Sequence, residues 1–417
     1  MRRGRWGGVV AARQVLGRRF GRLWAAYAVS TYGTWLGFGA FPLLAVVVLD
    51  SGPAQVAALA ATGRAVGAVL AVPLGPWVEF RRKRPVMVAM DLVRFAALAS
   101  VPVAYLLGWL GFAQLLVVSV VVAAADIAFR AASGAFLKGL LPPEDLLVAN
   151  SRFEATNWTA SMAGPPLGGA AIGLFGPVTT ILADACSHLL SALGIRSIGG
   201  SEPEPARRPE GRLRAGELLE GWRHILRHPV LRPLFLNAIA VNGLIMASEP
   251  LLAVLLLRDL GLSPWQYGLV FAAPCVGGLV GSRLAPRLVA RYGDARVLRT
   301  AGVLRSCWSS GLAFVPSGAA GMVVVMGVQL GLVASCGVFN PLLATHRLRH
   351  TDPTRLARTL SAWSVSASLS IAALTALWGL LAAVTGPRVA LATAGALLLA
   401  TPLLLRGTTG GRVTAAV

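Results

Sequence analysis

The sequence is poor in charged residues. Asp, Glu, Lys and Arg make up 13% of its 417 residues, about half of the roughly 25% found in soluble domains. Its mean hydropathy is +0.69, and long apolar runs separate the few charges. This composition excludes a soluble protein and predicts an integral membrane protein.

Acidic residues are scarcer still. The chain has 17 Asp and Glu against 38 Lys and Arg, a formal net charge of +21. Nucleic-acid-binding proteins have a similar excess, but they gather their cations on one folded face. Here the cations lie between apolar runs, so we attribute them to membrane topology and to the anionic inner leaflet. No nucleic-acid partner is expected.

Motifs for metal, nucleotide or hydrolytic chemistry are also missing. The four cysteines lie inside apolar runs at no ligand spacing, which favours packing roles over a disulfide or a zinc site. The sequence has no Gly-x4-Gly-Lys-Ser/Thr loop for ATP, and no His-Glu-x2-His or Gly-x-Ser-x-Gly motif for hydrolysis. We therefore expect no enzyme, no metal and no cofactor, with a proton gradient as the energy source.

A basic turn sets the orientation of the chain. Residues 81–84 are consecutive cations between the apolar runs 55–78 and 86–107, and each run is long enough to cross a bilayer. Short loops rich in Lys and Arg stay in the cytoplasm during insertion, so this turn is predicted to lie on the cytoplasmic face.

Twelve apolar spans fit the alternation of basic and uncharged loops, with both termini in the cytoplasm. The expected fold is an all-α protein of the cell membrane. The spans are 23–49, 55–78, 86–107, 115–140, 149–174, 177–198, 231–257, 264–289, 297–316, 322–345, 356–384 and 388–405.

Composition divides the chain into five parts. They are a basic tail (1–22), a first six-helix bundle (23–198), a linker (199–229), a second six-helix bundle (230–405) and a C-terminal tail (406–417). Within the linker, apolar residues recur at helical spacing over 213–226. That spacing predicts an amphipathic helix lying on the membrane surface.

The halves also resemble each other. Gly75 opens the basic turn between spans two and three, and Gly281 opens the one between spans eight and nine, about half a chain later. A duplicated bundle with parallel repeats around a central path is the expected architecture.

The basic turn resembles a loop of the major facilitator superfamily, Gly-x3-Asp-Arg-x-Gly-Arg-Arg. We assign Gly75, Glu79, Arg82 and Arg84 as its counterparts, and Phe80 stands where the family has Arg. The resemblance implies a cytoplasmic gate in which the acidic residue latches onto a neighbouring helix. Asp91 and Arg94 are assigned to the same gate, and a topology signal without a gating role is the alternative.

A second motif resembles the antiporter signature of that family. Gly164, Pro165, Gly168 and Gly169 match its Gly-Pro-x2-Gly-Gly core. Along nearly the whole chain, the sequence resembles the drug:proton antiporter branch that includes macrolide-efflux and enterobactin-exporter types. Small residues and prolines let this helix bend and approach its neighbour closely, either to rock or simply to pack.

Ionisable residues inside spans are costly unless they pair or line a water-filled path. Asp126 lies roughly 18 Å from the inner end of span four at about 1.5 Å per residue, with Arg130 four residues later. We predict that this pair contributes to proton coupling; a structural ion pair is the alternative. Further coupling candidates are Glu154, Asp184 with His188, and Glu249, which either receives a cationic substrate or bonds the backbone freed by Pro250.

Aromatic and amide side chains are the candidates for a substrate cavity. Tyr32, Trp35 and Phe38 are predicted to form a wall for a bulky apolar ligand, whereas Trp24 and Tyr27 are assigned to an interfacial belt. The other cavity candidates are Asn157, Trp158 and Asn242.

Together these features predict a monomeric secondary transporter of the cell membrane. Its expected activity is proton-coupled export of small amphipathic compounds, such as drugs, natural products or siderophores, by alternating access. A metabolite uniporter or symporter, or a lipid-moving membrane protein, remains the alternative.

Overall fold

The computed structural model describes residues 16–38, 40–50, 53–200, 202, 219–256, 264–316 and 318–409. Helices make up nearly all of these residues, and they contain no strand. Four parts of the sequence predictions fall outside them: the basic tail up to residue 15, linker residues 203–218, the loop with Arg258 and Asp259, and the tail from residue 410.

The first half of the chain forms eight helices in the described residues. They are α1 (Gly17–Leu36), α2 (Ala40–Val47), α3 (Pro53–Ala71), α4 (Leu74–Glu79), α5 (Lys83–Leu106), α6 (Phe112–Leu140), α7 (Leu146–Phe175) and α8 (Pro177–Arg196).

The linker contributes α9 (Glu220–Arg227), and the second half follows the plan of the first. Its α-helices are α10 (Leu231–Val254), α11 (Pro264–Ala272), α12 (Cys275–Tyr292), α13 (Asp294–Cys307), α14 (Ala319–Arg349), α15 (Leu356–Thr385) and α16 (Pro387–Ala400). Short 3-10 helices, Trp308–Phe314 and Thr401–Thr409, extend α13 and α16.

Nine helical segments of the described chain are long and apolar enough to cross a bilayer. The other three predicted spans correspond to α3 with α4, to the 30-residue helix α7, and to α13 with its 3-10 extension. Breaks divide some spans because Pro73 and Pro274 lack the amide that would continue the helix. The break between α1 and α2 lies at Gly37.

The helices pack as two groups. In the first, α1 packs on α7 and α8, and α5 packs on α6 and α8; in the second, α12 packs on α14 and α10 on α15. The groups meet where α7 contacts α12 and where α15 contacts α3, α4 and α6.

Hydrogen bonds between the groups concentrate at one end of the bundle. We call it the arginine-rich end, defined by Arg81, Arg82, Lys83, Arg84, Lys138 and Arg349. Asn150 Nδ2 donates to Thr345 Oγ1 at 3.0 Å, and Arg349 Nη2 donates to the Pro143 carbonyl at 2.8 Å. Lys138 donates to the Thr351 carbonyl. This end of the interface is closed.

The gate-like turn takes part in that closure. Glu79 Oε2 lies 3.0 Å from Arg358 Nε on α15, and Arg358 is also paired with Glu220 of the linker. The Arg358 guanidinium lies over the Phe80 ring, 5.2 Å from its centroid. The aromatic residue that departs from the family loop thus supports a guanidinium supplied by the other half of the chain.

The remaining residues of the turn have separate roles. A Cβ at Gly75 would lie 2.9 Å from Ser361 Cβ, so glycine allows α4 and α15 to approach. Arg84 donates to the Ile198 carbonyl beyond α8, whereas Arg82 is exposed at the start of α5.

The linker helix α9 packs on α15 with one side. Ile225 is fully buried, and Trp222 Nε1 donates to Ser366 Oγ at 2.8 Å. A Cβ at Gly221 would clash with the Arg358 carbonyl. Leu219 and Leu226 of the predicted apolar face stay exposed, so their contact with the membrane surface stays a prediction, and residues 213–218 of the same prediction lie outside the described chain.

The antiporter-like motif of α7 packs against the break in the first span. A Cβ at Gly164 would lie 2.5 Å from Trp35 Cβ, and one at Gly168 would overlap the Leu36 carbonyl oxygen. Gly169 faces open space. Two of the three glycines therefore bring the backbones of α1 and α7 together.

The different surroundings of Gly168 and Gly169 predict different stabilities for the two alanine variants. Gly168→Ala should destabilise the fold by roughly 1–3 kcal/mol, because the new methyl group forces α1 and α7 apart. Gly169→Ala should change stability by less than about 0.5 kcal/mol. Thermal unfolding in detergent compares them, and equal midpoints would contradict the assigned packing.

The closure should also depend on pH. Burial raises the pKa of Glu79 to about 7 from an ordinary 4.5, although Arg358 acts to lower it. The closed form therefore holds the proton more tightly than a form in which Glu79 is solvated. The closed form is favoured at low pH, and this advantage is lost as pH rises through about 7. The ratio of closed to open protein falls by at most about tenfold per pH unit.

Spin labels at the exposed positions Glu144, in the loop before α7, and Arg291, in the last turn of α12, report that closure. The closed fraction should fall as pH is raised, and Glu79→Gln should remove the dependence. Asp352→Asn, an exposed carboxylate at the same end, should leave it intact. An unchanged pH profile in Glu79→Gln would refute the role of this carboxyl.

Candidate functional site

A cavity of about 560 Å³ lies among the helices of the first half and reaches α15 of the second at Ser368. Its wall combines small, aromatic and charged side chains. The polar and aromatic members are Tyr27, Ser30, Thr31, Thr34, Trp35, Phe41, Arg64, Arg94, Ser119, Asp126, Phe129, Arg130, Asn157, Asp184, His188 and Ser368.

Asp126 is the centre of an ion-pair network. Its Oδ2 accepts from Arg130 Nε at 2.6 Å, one turn later on α6, and its Oδ1 accepts from Arg94 Nη1 of α5 at 3.2 Å. The Asp126 and Arg130 side chains are 34% and 67% exposed. This end of the network is thus accessible from the cavity.

The network continues into the protein from Arg94. Asp91 accepts from Arg94 and is fully buried, and its Oδ1 lies 3.4 Å from His188 Nδ1 on α8. The other ring nitrogen of His188 lies 3.5 Å from Asp184 Oδ1. Thr34 of α1 donates to the same oxygen at 3.3 Å. Four helices therefore share one chain of polar groups.

Charge counting shows what this chain of groups can do. It holds three carboxylates (Asp91, Asp126, Asp184), two guanidiniums (Arg94, Arg130) and one imidazole. With neutral His188 the network has one excess negative charge, and one added proton brings it to zero. Buried charge of one sign is unfavourable without a partner, so the site is suited to hold one proton or one cation.

The network also touches the break in the first span. A Cβ at Gly37 would lie 3.4 Å from Asp184 Cβ, and Gly33 packs closely on Ser187 of α8. Together with Gly164 and Gly168 on the opposite side, these contacts hold the end of α1 between α7 and α8. Asp184 is therefore in packing contact with the helix break, and a displacement of its side chain alters that contact.

Two other acidic candidates lie outside the network. Glu154 accepts from Asn340 Nδ2 at 2.8 Å, so it joins α7 to α14 across the two halves. Glu249 is exposed and interacts electrostatically with Arg64. Arg64 itself lines the cavity, so Glu249 is connected to the cavity wall through this interaction.

The substrate-cavity candidates separate into two sets. Trp35 and Asn157 line the cavity, and Trp35 Nε1 donates to Asn157 Oδ1 at 3.2 Å. Tyr32, Phe38, Trp158 and Asn242 are not among the lining residues; Tyr32 and Phe38 are exposed, and the Trp158 ring packs on Gly278.

Helical phase explains the difference. Positions 27, 30, 31, 34 and 35 lie on one face of α1, and Tyr32 lies on another. Tyr27 therefore lines the cavity, and Trp24 donates to Thr156 Oγ1 at 2.9 Å within the bundle. Tyr27 thus belongs to the cavity wall instead of an interfacial belt, whereas Trp24 is 38% exposed and its assignment to the belt stays a prediction.

Asp91 and Arg94 have a different place from the one assigned to them. The sequence analysis groups them with the gate, whereas their side chains lie within the ion-pair network. The i, i+3 spacing of the two residues was the available signal. Their connection to Asp126 and His188 depends on how α5, α6 and α8 pack, which spacing alone does not give.

Comparisons with known proteins agree with this architecture. The family model described as Major Facilitator Superfamily matches residues 23–345 and 249–413. The chain is 29% identical over 338 residues to the multidrug efflux pump Tap of Mycobacterium tuberculosis, covering 78% of each chain. It is 27% identical over 325 residues to Tap of Mycolicibacterium fortuitum, covering 75% of this chain and 77% of the relative.

Solved structures share the fold. A bacterial homologue of the iron transporter ferroportin, in an outward-facing state with soaked iron, superposes with a TM-score of 0.80 at 17% identity. The superposition covers 95% of this chain and 100% of that one. The prediction of two helical bundles in a non-enzymatic membrane protein is confirmed. On the match of its sequence and the arrangement of its helices, the chain belongs to the Major Facilitator Superfamily.

Proposed function

We propose that this protein is a proton-coupled secondary transporter that exports small amphipathic compounds, drug-like molecules among them. The observation that carries the proposal is the cavity of about 560 Å³ whose wall joins Trp35 and Tyr27 to the Asp126 network. An aromatic surface beside a small number of polar groups is the wall expected for such ligands. The Tap relatives, named multidrug efflux pumps, support the same substrate class.

The arginine-rich end is assigned to the cytoplasm. Lys and Arg in short loops favour that side, and the loops at this end carry Arg81 to Arg84, Arg291, Arg296 and Arg349. Both termini then lie inside, and the chain is a multi-pass protein of the cell membrane. One copy suffices, because a single chain provides the whole cavity wall.

The mechanism follows from the excess charge of the network. With the cytoplasmic end closed by Arg358, Lys138 and Arg349, the cavity is proposed to open outward. A proton from outside then neutralises the network and displaces a cationic substrate. One negative charge serves both ligands in turn, so the two exchange rather than move together.

Protonation is also proposed to start the change of state. Asp184 accepts from Thr34 and lies against Gly37 at the break between α1 and α2. A neutral Asp184 or a charged His188 alters that contact, because each changes the attraction between the two side chains. Movement of the first span against α7 and α8 would then open the closed end, and the proton would leave to the cytoplasm.

Reconstitution in liposomes tests the coupling. An imposed pH gradient should drive uptake or release of a fluorescent lipophilic cation such as ethidium, and Asp126→Asn should abolish the gradient-driven part. Binding of the compound should weaken, because the variant lacks the excess negative charge, but it should not be lost, since the aromatic wall is unchanged. Glu144→Gln, an exposed loop carboxylate, serves as the matched control.

The outcomes separate this proposal from its alternatives. Gradient-driven transport that persists in Asp126→Asn would remove the network from coupling. Transport of the compound down its own gradient without proton movement would indicate a uniporter. Movement of labelled phospholipid between leaflets would indicate a lipid mover.

Trp35 should contribute to substrate affinity. Trp35→Ala is expected to weaken binding of the lipophilic cation by roughly tenfold, as for a well-packed aromatic contact. Trp109→Ala removes a tryptophan that is 79% exposed and should leave affinity unchanged. Equilibrium binding to the purified protein measures both, and equal affinities would place the ligand elsewhere.

A further inference from the structure

A second cavity lies on the outside of the second half. Its volume is about 440 Å³, and it shares no lining residue with the central cavity. We call it the membrane-facing groove, a cleft between α12 and α13 with α14 as its floor. Leu288, Tyr292, Arg296, Ala301, Leu304 and Val338 line it.

The groove is apolar along its length and open to the side. Ser335 on the floor and Ala301 at the base of one wall are buried, whereas Leu304 and Tyr292 are exposed at the walls. Arg296 and Leu304 lie eight positions apart on α13, about 12 Å at 1.5 Å per residue. That length is close to one leaflet of the hydrocarbon core, which is about 30 Å thick in total.

Positive charge lies at one end of the groove. Arg296 is a lining residue and is exposed, and the Arg291 guanidinium lies 5.3 Å from the centroid of the Tyr292 ring. Asp294, between them in sequence, is held by His346 at 3.2 Å and Arg349 at 3.6 Å. Within the part of the chain that the structure describes, neither Arg291 nor Arg296 forms an ion pair with a carboxylate.

We propose that the membrane-facing groove binds one anionic phospholipid of the cytoplasmic leaflet. One acyl chain lies along Leu288, Ala301 and Leu304, and the headgroup phosphate lies at Arg296 beside Tyr292. Basic pockets between membrane helices at the cytoplasmic side recognise such headgroups. The leaflet follows from the orientation under Proposed function, so the inference rests on that orientation but not on proton coupling or on the exported compound.

Charge complementarity selects this occupant. A second protein copy would need apolar contacts, whereas the rim of the groove is cationic at Arg296. A zwitterionic lipid also fills the cleft, but its headgroup brings no net charge to Arg296. The preference for an anionic headgroup is therefore the measurable property of the site.

Native mass spectrometry of the full-length protein in detergent tests the proposal. Phosphatidylglycerol and phosphatidylethanolamine with identical acyl chains are compared, and the anionic lipid should bind more tightly. Arg296→Gln should reduce that preference by roughly fivefold. Arg232→Gln removes an equally exposed arginine at the start of α10, away from the groove, and should leave it unchanged.

Two further arms identify the source of the binding. Thr300→Trp, at an exposed lining position, fills the groove without changing charge and should weaken both lipids. Glycerol phosphate in excess should not displace the lipid, because it lacks the acyl chain. Displacement by glycerol phosphate, equal binding of the two lipids, an unaltered preference in Arg296→Gln, or a dimer in place of the lipid adduct would each overturn the proposal. Lipid binding is measured without transport, so its failure is distinct from failure of the proposed export.

Discussion

Burial of charge is the constraint on which the first half of this protein depends. Removing an ion from water costs several kcal/mol, and only close partners offset that cost. Asp91 is fully buried, and Arg94 and His188 are nearly so. These side chains and Asp126 contact one another only while α5, α6 and α8 keep their register. The network therefore stabilises one packing of the helices as well as providing the chemistry of the cavity.

The same constraint connects chemistry to motion. In the proposed mechanism, the excess negative charge makes the packing of the network depend on whether a proton or a cation is present. Asp184 lies against Thr34 and Gly37 of the first span, at the break in the helix, where the glycines of α7 let the two backbones approach without large side chains between them. The closed end, held by Glu79, Arg358 and Glu220, is the other part of the molecule for which we predict a response to ionisation.

Helix positions were largely predictable because hydrocarbon thickness and breaker residues constrain them independently of packing. The span predicted at 149–174 is observed as Leu146–Phe175, and the one at 356–384 as Leu356–Thr385. The breaks at Gly37, Pro73 and Pro274 were not predicted, since glycine and proline are also tolerated inside membrane helices. The linker helix was found, but its partner was not, because an amphipathic face fits protein and lipid equally well.

Only the contacts of the site that join residues close in sequence could be predicted. The Asp126–Arg130 pair follows from i, i+4 spacing, whereas Arg94, Asp91 and His188 join it through the packing of three helices. Tyr32 and Phe38 were chosen for aromaticity; helical phase places Tyr32 outside the cavity wall, and Phe38 lies beyond the end of α1, after the break at Gly37. Phe80 departs from the family loop in the sequence, yet its ring supports the Arg358 guanidinium of the other half.

The central claim is that one excess negative charge is shared in turn by a proton and a cationic substrate. Proton release from the purified protein tests it most directly, recorded with a pH indicator in weak buffer as the lipophilic cation is added. The charge count predicts release of about one proton for each molecule bound. Saturable binding with no proton released would contradict the account.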